Sequence, residues 1–207
     1  MSEKEGSEEA RAPEAPVPST AVASQSLRIA IHVGFAWVPL LYWATGWSRW
    51  TMLAVGLPAL AGIGFDLWRI NSPGLNEFVL SLWGRLLKAQ ESSRLAGASH
   101  YFIGILSAVL LYPKPVAVCA SLYMTWADPA ALIVGRRFGR HSLGDKSWEG
   151  FGAFVAAAFL IGLYFFRWPA ALVGATVAAL VELYSPGWAN DNSLIPIVSG
   201  FALAILT

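Results

Sequence analysis

Seven apolar runs, joined by short polar links, follow residue 25 and leave the chain little choice of architecture. They lie at about 29–46, 50–67, 98–113, 115–134, 151–166, 168–184 and 192–207. Each approaches the ~20 residues that a helix needs to cross a bilayer. Backbone inside hydrocarbon must satisfy its own hydrogen bonds, so such runs fold as helices. Of the 207 residues, 56% are hydrophobic and only 13% are charged. That is about half the charge of a soluble domain. A disordered chain is excluded and a soluble enzyme is disfavoured. The expected fold is all-α: a polytopic integral membrane helix bundle of about seven transmembrane helices. Pro39, Pro58 and Pro129 fall inside runs, which buried helices tolerate when neighbours satisfy the freed carbonyls.

Two segments depart from this pattern. Residues 1–25 hold Glu3, Glu5, Glu8, Glu9 and Glu14, with Pro13, Pro16 and Pro18 among Ala and Ser. Nothing there can form a core, so a disordered acidic tail is expected, with 26–207 as one membrane-embedded domain. Its acidity is unlike a transit peptide and its polarity unlike a signal peptide. In residues 74–94, Leu75, Phe78, Val79, Leu82, Leu86 and Leu87 recur at helical spacing. Glu77, Arg85, Lys88 and Glu91 fall between them, which predicts one amphipathic helix on the membrane surface.

Charge sets the orientation. With a cytoplasmic N-terminus, that side receives Arg28, Arg69, Arg85, Lys88, Arg94, Arg136, Arg137, Arg140 and Lys146. The other side receives Arg49, Lys114 and Arg167, in keeping with the positive-inside rule. Acids contribute little to orientation, yet Asp66, Glu77, Glu91, Asp128, Asp145, Glu149, Glu182 and Asp191 all fall at or near the cytoplasmic face. Surface solvation is the plain explanation. A site for a polyanion and its metal ions is the sharper one, since several of these acids sit at helix ends where burial is expensive. A net charge of +1 provides no field for nucleic acid. Cys119 is the single cysteine, so no disulfide or thiolate metal centre can form within one chain. No His/Cys cluster has zinc spacing.

The densest polar stretch runs from Asp128 to Gly150. An ionisable residue ending an apolar span, as Asp128 does in this reading, is a functional hypothesis by default. Its carboxylate can hold Mg²⁺, which in turn holds phosphate oxygens; as a helix cap it would be merely structural. Gly135 and Gly139 allow close approach of a ligand, or form a helix-packing motif. Arg136, Arg137 and Lys146 can neutralise phosphates, though arginines here also serve as topology anchors. Lys146, Ser147 and Glu149 at a helix start fit a phosphate held near a helix N-terminus; Glu149 there is also favoured by the dipole alone. The stretch is not a Walker A loop, because the Gly-Lys-Ser/Thr ending is missing. Asp191 sits in a polar turn that Asx residues often form for its own sake. His32 stands four residues after Arg28 on one helix face, where a hydrogen-bonded packing role is the alternative. Asp66 has simple ion-pair partners in Arg69 and Arg28.

Asp128, Ala131, Gly135, Gly139, Lys146, Ser147, Glu149 and Gly150 together resemble the shared pattern of the CTP-using lipid enzymes. These are the dolichol, phytol and CTP-dependent diacylglycerol kinases and the related phosphatidate cytidylyltransferases. Arg28 and His32 resemble an element near the start of the kinases' first helix. Asp66, Arg69 and Asn76 are similar to the next. Glu91 with Leu95-Ala-Gly-Ala-Ser-His100-Tyr101 resembles a third. Glu182, Asp191-Asn192, Pro196 and Ser199-Gly200 resemble the closing one. The likeness covers nearly the whole chain after the tail. Ile29 stands where a Lys is usual, and Asp145 precedes Lys146 after a short spacer, unlike the dolichol kinases. The compact phytol and polyprenol kinase-like branch is the nearer likeness.

The resemblance implies transfer of the γ-phosphate of CTP to a membrane lipid alcohol at the cytoplasmic face. Asp128, Glu182 and Asp191 become the metal candidates for Mg²⁺. Asp128, Asp191 and Lys146 become the catalytic candidates. Gly135, Arg136, Arg137, Gly139, Lys146, Ser147, Glu149, Arg28, His32 and Asn192 become the nucleotide-binding set. Partners are CTP, the lipid alcohol and the bilayer, and glycine-bearing faces would allow a homodimer. A CTP:lipid-phosphate cytidylyltransferase would use a similar site. A transporter would place its ionisable residues near the middle of spans.

Overall fold

In the computed structural model, which describes residues 19–84, 89–185 and 190–207, prolines decide where the helices change pitch. Proline lacks an N–H, and its ring strikes the carbonyl four residues back. Helix α1 (Ser19–Gly34) therefore gives way to α2 (Trp37–Thr45) at Phe35-Ala36, four residues before Pro39. The Val38 N–H takes over the Phe35 carbonyl at 3.0 Å. The run expected over 29–46 is thus one apolar segment, Ile29–Thr45, interrupted at Phe35-Ala36. Helix α3 (Arg49–Asn71) meets the same demand differently. Its Met52–Gly56 turn widens to π pitch two residues before Pro58, and the helix continues.

A short helix α4 (Pro73–Trp83) follows. It buries no residue, and Phe78 and Leu82 stay exposed four positions apart. The amphipathic helix expected over 74–94 therefore ends early. Arg85 to Lys88 lie outside the described residues, and Ala89–Ser92 form a separate 3-10 turn. Arg69 of α3 donates to the Glu91 and Ser92 carbonyls of that turn, and Asn76 of α4 donates to the Ser92 carbonyl.

Next come α5 (Gly97–Leu111) and the long α6 (Lys114–Phe138). In α6 the Tyr123–Ala127 turn has π pitch, two residues before Pro129, which repeats the device in α3. The run expected at 115–134 is therefore continuous to Phe138. Asp128 lies inside it rather than at its end. Of the apolar window of α6, 72% is buried, against 22% in both α3 and α7. It is the central helix of the bundle, apolar all round as such a helix must be. A two-residue hairpin, β1 (Ser142–Leu143) with β2 (Lys146–Ser147), turns through Gly144 at φ 61°. Helices α7 (Trp148–Phe165), α8 (Trp168–Tyr184) and α9 (Asp191–Leu206) complete the chain.

Small residues let the helices close on each other. Pro196 frees the Asn192 carbonyl of α9, and Gly104 of α5 sits so close that a Cβ there would lie 2.3 Å from it. Ala171, Gly174, Ala175, Ala178 and Ala179 form the buried stripe of α8. Van der Waals contact between small residues is the usual way helices associate in lipid. The outer surface carries large apolar side chains, among them Leu60, Leu160, Phe201 and Ile205. Among the described residues, three helices are long and apolar enough to cross a membrane, and four further apolar segments are shorter. The fold is all-α with the surface of a membrane protein. At one end, Lys114 Nζ lies over the Trp43 ring and donates to the Trp43 carbonyl at 3.1 Å. The other end holds the polar side chains.

Candidate active site

A cavity of about 560 Å³ opens at that second end. Its lining is of two kinds. Ile29 and Ile31 of α1, Phe35 just after it, Phe102 of α5 and Leu132 of α6 make it largely apolar. His32, Glu91, Asp128, Lys146, Glu182, Asp191 and Asn192 converge on it from six separate segments. Residues as far apart in the chain as His32 and Asn192 thus share one space, as the sequence pattern requires of a single site.

Asp128 is half-buried and lies ten residues before the end of α6. The depth is smaller than that spacing implies. Gly150, near the start of α7, packs against Ala131 and Gly135, so the last turns of α6 project past the start of α7. Asp128 is three residues, roughly 4–5 Å of helix rise, below Ala131. It is an intramembrane-type acid close to the polar end, set immediately after a π turn. Such turns are frequent at functional sites.

Lys146 Nζ donates both to the Glu182 carboxylate and to the Glu182 carbonyl. The hairpin thereby reaches across to the last turn of α8. The ammonium also offsets the negative end of that helix. Asp191 and Asn192 open α9. The Asn190 and Asp191 side chains each accept the Asn192 N–H at 3.0 Å. Asn192 Nδ2 donates to the Gly97 carbonyl at 3.1 Å, tying α9 to the start of α5. His32 packs edge-on against Tyr101, with ring centroids 5.1 Å apart, and the Tyr101 hydroxyl shares a hydrogen bond with Thr125.

Asp128, Glu182 and Asp191 line the same cavity without forming a cage. Among the described residues, no three His, Cys, Asp or Glu side chains stand close enough to hold one ion. Converging carboxylates repel one another, and Glu182 already has Lys146 as its counter-ion.

The remaining sequence candidates lie around the cavity rather than in it. A Cβ on Gly135 would lie 3.0 Å from Ser147 Oγ, and one on Gly150 would lie 3.0 Å from the Ala131 carbonyl oxygen. A Cβ on Gly139 would meet the Ser147 side chain at 2.9 Å. These glycines let the hairpin and the start of α7 sit against α6. Ser147 caps α7 by accepting the Gly150 N–H at 3.1 Å. Glu149 binds the His141 ring at 2.8 Å and fastens the hairpin to α7. Arg136 and Arg137 are exposed on the projecting end of α6. The side chain of Arg28 lies outside the described residues.

Behind the cavity stands a buried cluster. Arg69 Nε and Nη2 both donate to Asp66 Oδ1 at 3.2 Å. Nη1 donates to Asn76 Oδ1 at 2.7 Å and to the Ser92 carbonyl at 3.3 Å. Nη2 also reaches the carbonyls of Glu91 at 2.9 Å and Arg94 at 2.7 Å. Asp66 Oδ2 accepts from the Ala96 N–H and the Ser99 hydroxyl, both at 2.7 Å. The segment from Glu91 to the first turn of α5 is thereby pinned to α3. Glu91 enters the sequence reading through the resemblance and as one of the acids at the cytoplasmic face, without a place among the site candidates. Helical periodicity over 74–94 assigns it to a surface helix, whereas it is buried and lines the cavity. The available signal was its resemblance element with Leu95 to Tyr101; in the structure a Cβ on Gly97 would crowd Glu91 Oε1 at 3.2 Å and Asn192 Nδ2 at 3.3 Å.

Comparison with known proteins places the same arrangement in context. Over 204 residues the chain is 26% identical to CTP-dependent diacylglycerol kinase 1 of Schizosaccharomyces pombe, covering 86% of this chain and 92% of that protein. Over 183 residues it is 30% identical to the phytol kinase of Synechocystis sp., covering 82% of this chain and 74% of that enzyme. Over 154 residues it is 28% identical to CTP-dependent diacylglycerol kinase 1 of Eremothecium gossypii, covering 70% of this chain and 46% of that protein. No family model and no solved structure matches the chain.

Proposed function

Because the chain belongs to the CTP-dependent lipid kinase family, we propose that it transfers the γ-phosphate of CTP to the hydroxyl of a membrane lipid alcohol, giving CDP and a lipid phosphate. The observation that carries this reading is the cavity, in which acids, a lysine and a long apolar lining meet. A lipid alcohol needs both. Its tail stays among apolar side chains while its hydroxyl reaches charged groups.

The lipid oxygen forms a bond to the γ-phosphorus, and the bond from that phosphorus to the bridging oxygen breaks, leaving its electron pair on CDP. The hydroxyl proton passes to a cavity carboxylate, Asp191 by preference. Phosphoryl transfer asks chiefly for positioning and charge neutralisation. Lys146 supplies a cation within the cavity, and Arg136 and Arg137 supply more on the projecting end of α6. Mg²⁺ typically takes one or two carboxylates together with substrate phosphates. Asp128 and Asp191 fit that donor set, with Glu182 retained by Lys146. When bound, Mg²⁺ supplies charge neutralisation at the phosphates.

In this reading the apolar helices make seven membrane crossings, the three long ones and the four shorter ones. The cavity end faces the cytoplasm, where CTP is found, and α4 lies at the membrane surface beside the lipid's path. Trp83, the last residue of α4, lines the cavity and is more than half exposed. A homodimer is compatible with the glycine-bearing outer faces.

The test uses purified protein in nanodiscs with Mg²⁺, a panel of lipid alcohols and lipid phosphates, and CTP labelled at the γ- or the α-phosphate. Label from the γ position in the lipid product is expected. Label from the α position would make the protein a cytidylyltransferase. If neither label moves, the kinase reading is wrong.

A further inference from the structure

We propose that Tyr101 and Thr125 are positioning residues for Asp128: their paired hydroxyls hold the π turn of α6 that sets Asp128 against the cavity. The proposal rests on the reading above, in which Asp128 is a ligand of Mg²⁺.

The two π turns of the molecule share an origin and differ in what surrounds them. Each ends two residues before a proline. The turn in α3 runs Met52-Leu53-Ala54-Val55-Gly56 and carries no polar side chain. Widening there answers the missing proline N–H and nothing more. The turn in α6 runs Tyr123-Met124-Thr125-Trp126-Ala127 and is pinned from another helix. Thr125 Oγ1 donates to the Ser121 carbonyl at 2.8 Å. It also shares a 3.0 Å hydrogen bond with the Tyr101 hydroxyl of α5. Because the threonine hydrogen is spent on Ser121, the Tyr101 hydroxyl is the donor of that pair. Both side chains are buried. A threonine that bonds back to the carbonyl four residues earlier favours a bend in its helix.

Asp128 is the residue that this turn delivers. Its own N–H closes the wide bond, onto the Tyr123 carbonyl five residues back. One residue of added pitch rotates all that follows by roughly 100° relative to an uninterrupted helix of 3.6 residues per turn. Beyond the turn, Asp128, Pro129 and Leu132 line the cavity, while Ala131 and Gly135 pack on Gly150. Reversion to α pitch would set both faces at odds with the buried half of α6 before Tyr123. Tyr101 itself lines the cavity, with its ring against His32. A wall residue of α5 thus fixes the pitch of α6 at the point where Asp128 leaves it. What is fixed is the backbone position of Asp128, independent of the partners of its carboxylate. Outer contacts that hold a metal ligand in place are worth about 10–100-fold in metal affinity.

The experiment follows melting of the purified protein in detergent with CTP while Mg²⁺ is titrated, alongside γ-label transfer. Tyr101→Phe/Thr125→Val removes both hydroxyls, keeps both shapes and strands neither partner. Its melting without ligands should lie close to that of wild type. The Mg²⁺ concentration for half-maximal protection by CTP should rise by about tenfold. The KM for the lipid alcohol should stay within about twofold of wild type. Thr176→Val removes a hydroxyl that donates four residues back at 2.8 Å in α8, away from any π turn. It should leave the Mg²⁺ requirement unchanged. If the double variant does not fold, Tyr101→Phe alone carries the test, since it spares the ring contacts and the Thr125–Ser121 bond. The proposal is overturned if the hydroxyl variant needs no more Mg²⁺ than wild type, or if Thr176→Val shifts the requirement equally. Wild-type protection by CTP that is indifferent to Mg²⁺ would also overturn it, together with the metal role of Asp128. Intact Mg²⁺-dependent protection without γ-label transfer would instead overturn the kinase reading alone.

Discussion

Two ion pairs, one behind the cavity and one in its lining, are built to different ends. Asp66–Arg69 is fully enclosed, with side chains 4% and 1% exposed, and every donor of the guanidinium is engaged. Lys146–Glu182 has its lysine side chain 36% exposed, and its ammonium sits on a flexible four-carbon stem. The first can be rearranged only by dismantling the wall. The second can exchange its partner for a phosphate at small expense, because an ammonium is a compact charge without fixed geometry. Enclosure, rather than the presence of opposite charges, separates the pair that supports the fold from the pair that is available to substrate.

Breaking the enclosed pair should have the largest effect. Arg69→Met leaves Asp66 buried and uncompensated, at about 3–5 kcal/mol. Thermal melting in detergent should show a steep loss, and the double variant Asp66→Asn/Arg69→Met should recover part of it. Equal melting temperatures for wild type and Arg69→Met would remove the distinction drawn between the pairs. Lys146→Met should invert the pattern. Turnover with saturating CTP should fall by about 10²–10³-fold, the usual cost of removing one transition-state charge partner. Melting without nucleotide should change little, because the ammonium is partly solvated. A variant that melts much earlier yet turns over normally would mark Lys146 as structural.

The same contrast governs what could be read from the chain. The apolar runs gave the order and placement of the helices, since bilayer-length hydrophobicity is a local property. Asp128, Lys146, Glu182, Asp191, Asn192 and His32 could be gathered in advance through the resemblance, and all six line the cavity. Local pattern did not reveal the pitch changes. Pro39 ends a helix while Pro58 and Pro129 sit in helices that loosen to π turns and continue, and the difference depends on packing. Nor did it reveal that Lys146 and Glu182, 36 residues apart, are each other's partner. Glu91 was hidden for a further reason. The hydrogen bonds that draw its turn inward come from Arg69, which lies 22 residues earlier.

The glycines of the α6–α7 contact offer a smaller, sharper effect. Gly150→Ala places a Cβ 3.0 Å from the Ala131 carbonyl oxygen and 3.3 Å from Gly135 Cα, both backbone atoms with little room to yield. Overpacking of this kind costs about 1–3 kcal/mol. Gly152→Ala, two residues on, meets nothing within 4 Å. It should leave melting unchanged or raise it slightly, as alanine is the better helix former. If both variants lose CTP protection while melting normally, the glycines act on nucleotide and not on packing.

Glu149 should give the smallest effect, and it separates two meanings of an acid in this stretch. Its carboxylate accepts from the His141 ring, whose side chain is 77% exposed. It also occupies the first turn of α7, where the helix dipole favours an acid. The His141 contact fastens the hairpin to α7, and Glu149 is not part of the cavity lining. Glu149→Gln keeps the shape and removes the charge. It should leave the CTP KM and turnover unchanged and shift melting only slightly, less so as salt is raised. Lys146, three residues earlier on the same hairpin, should by contrast be intolerant of a neutral replacement. A clear rise in the CTP KM of Glu149→Gln would show that the hairpin presents Glu149 as well as Lys146 to the nucleotide, and the boundary between wall and site would then run along α7 rather than through the hairpin.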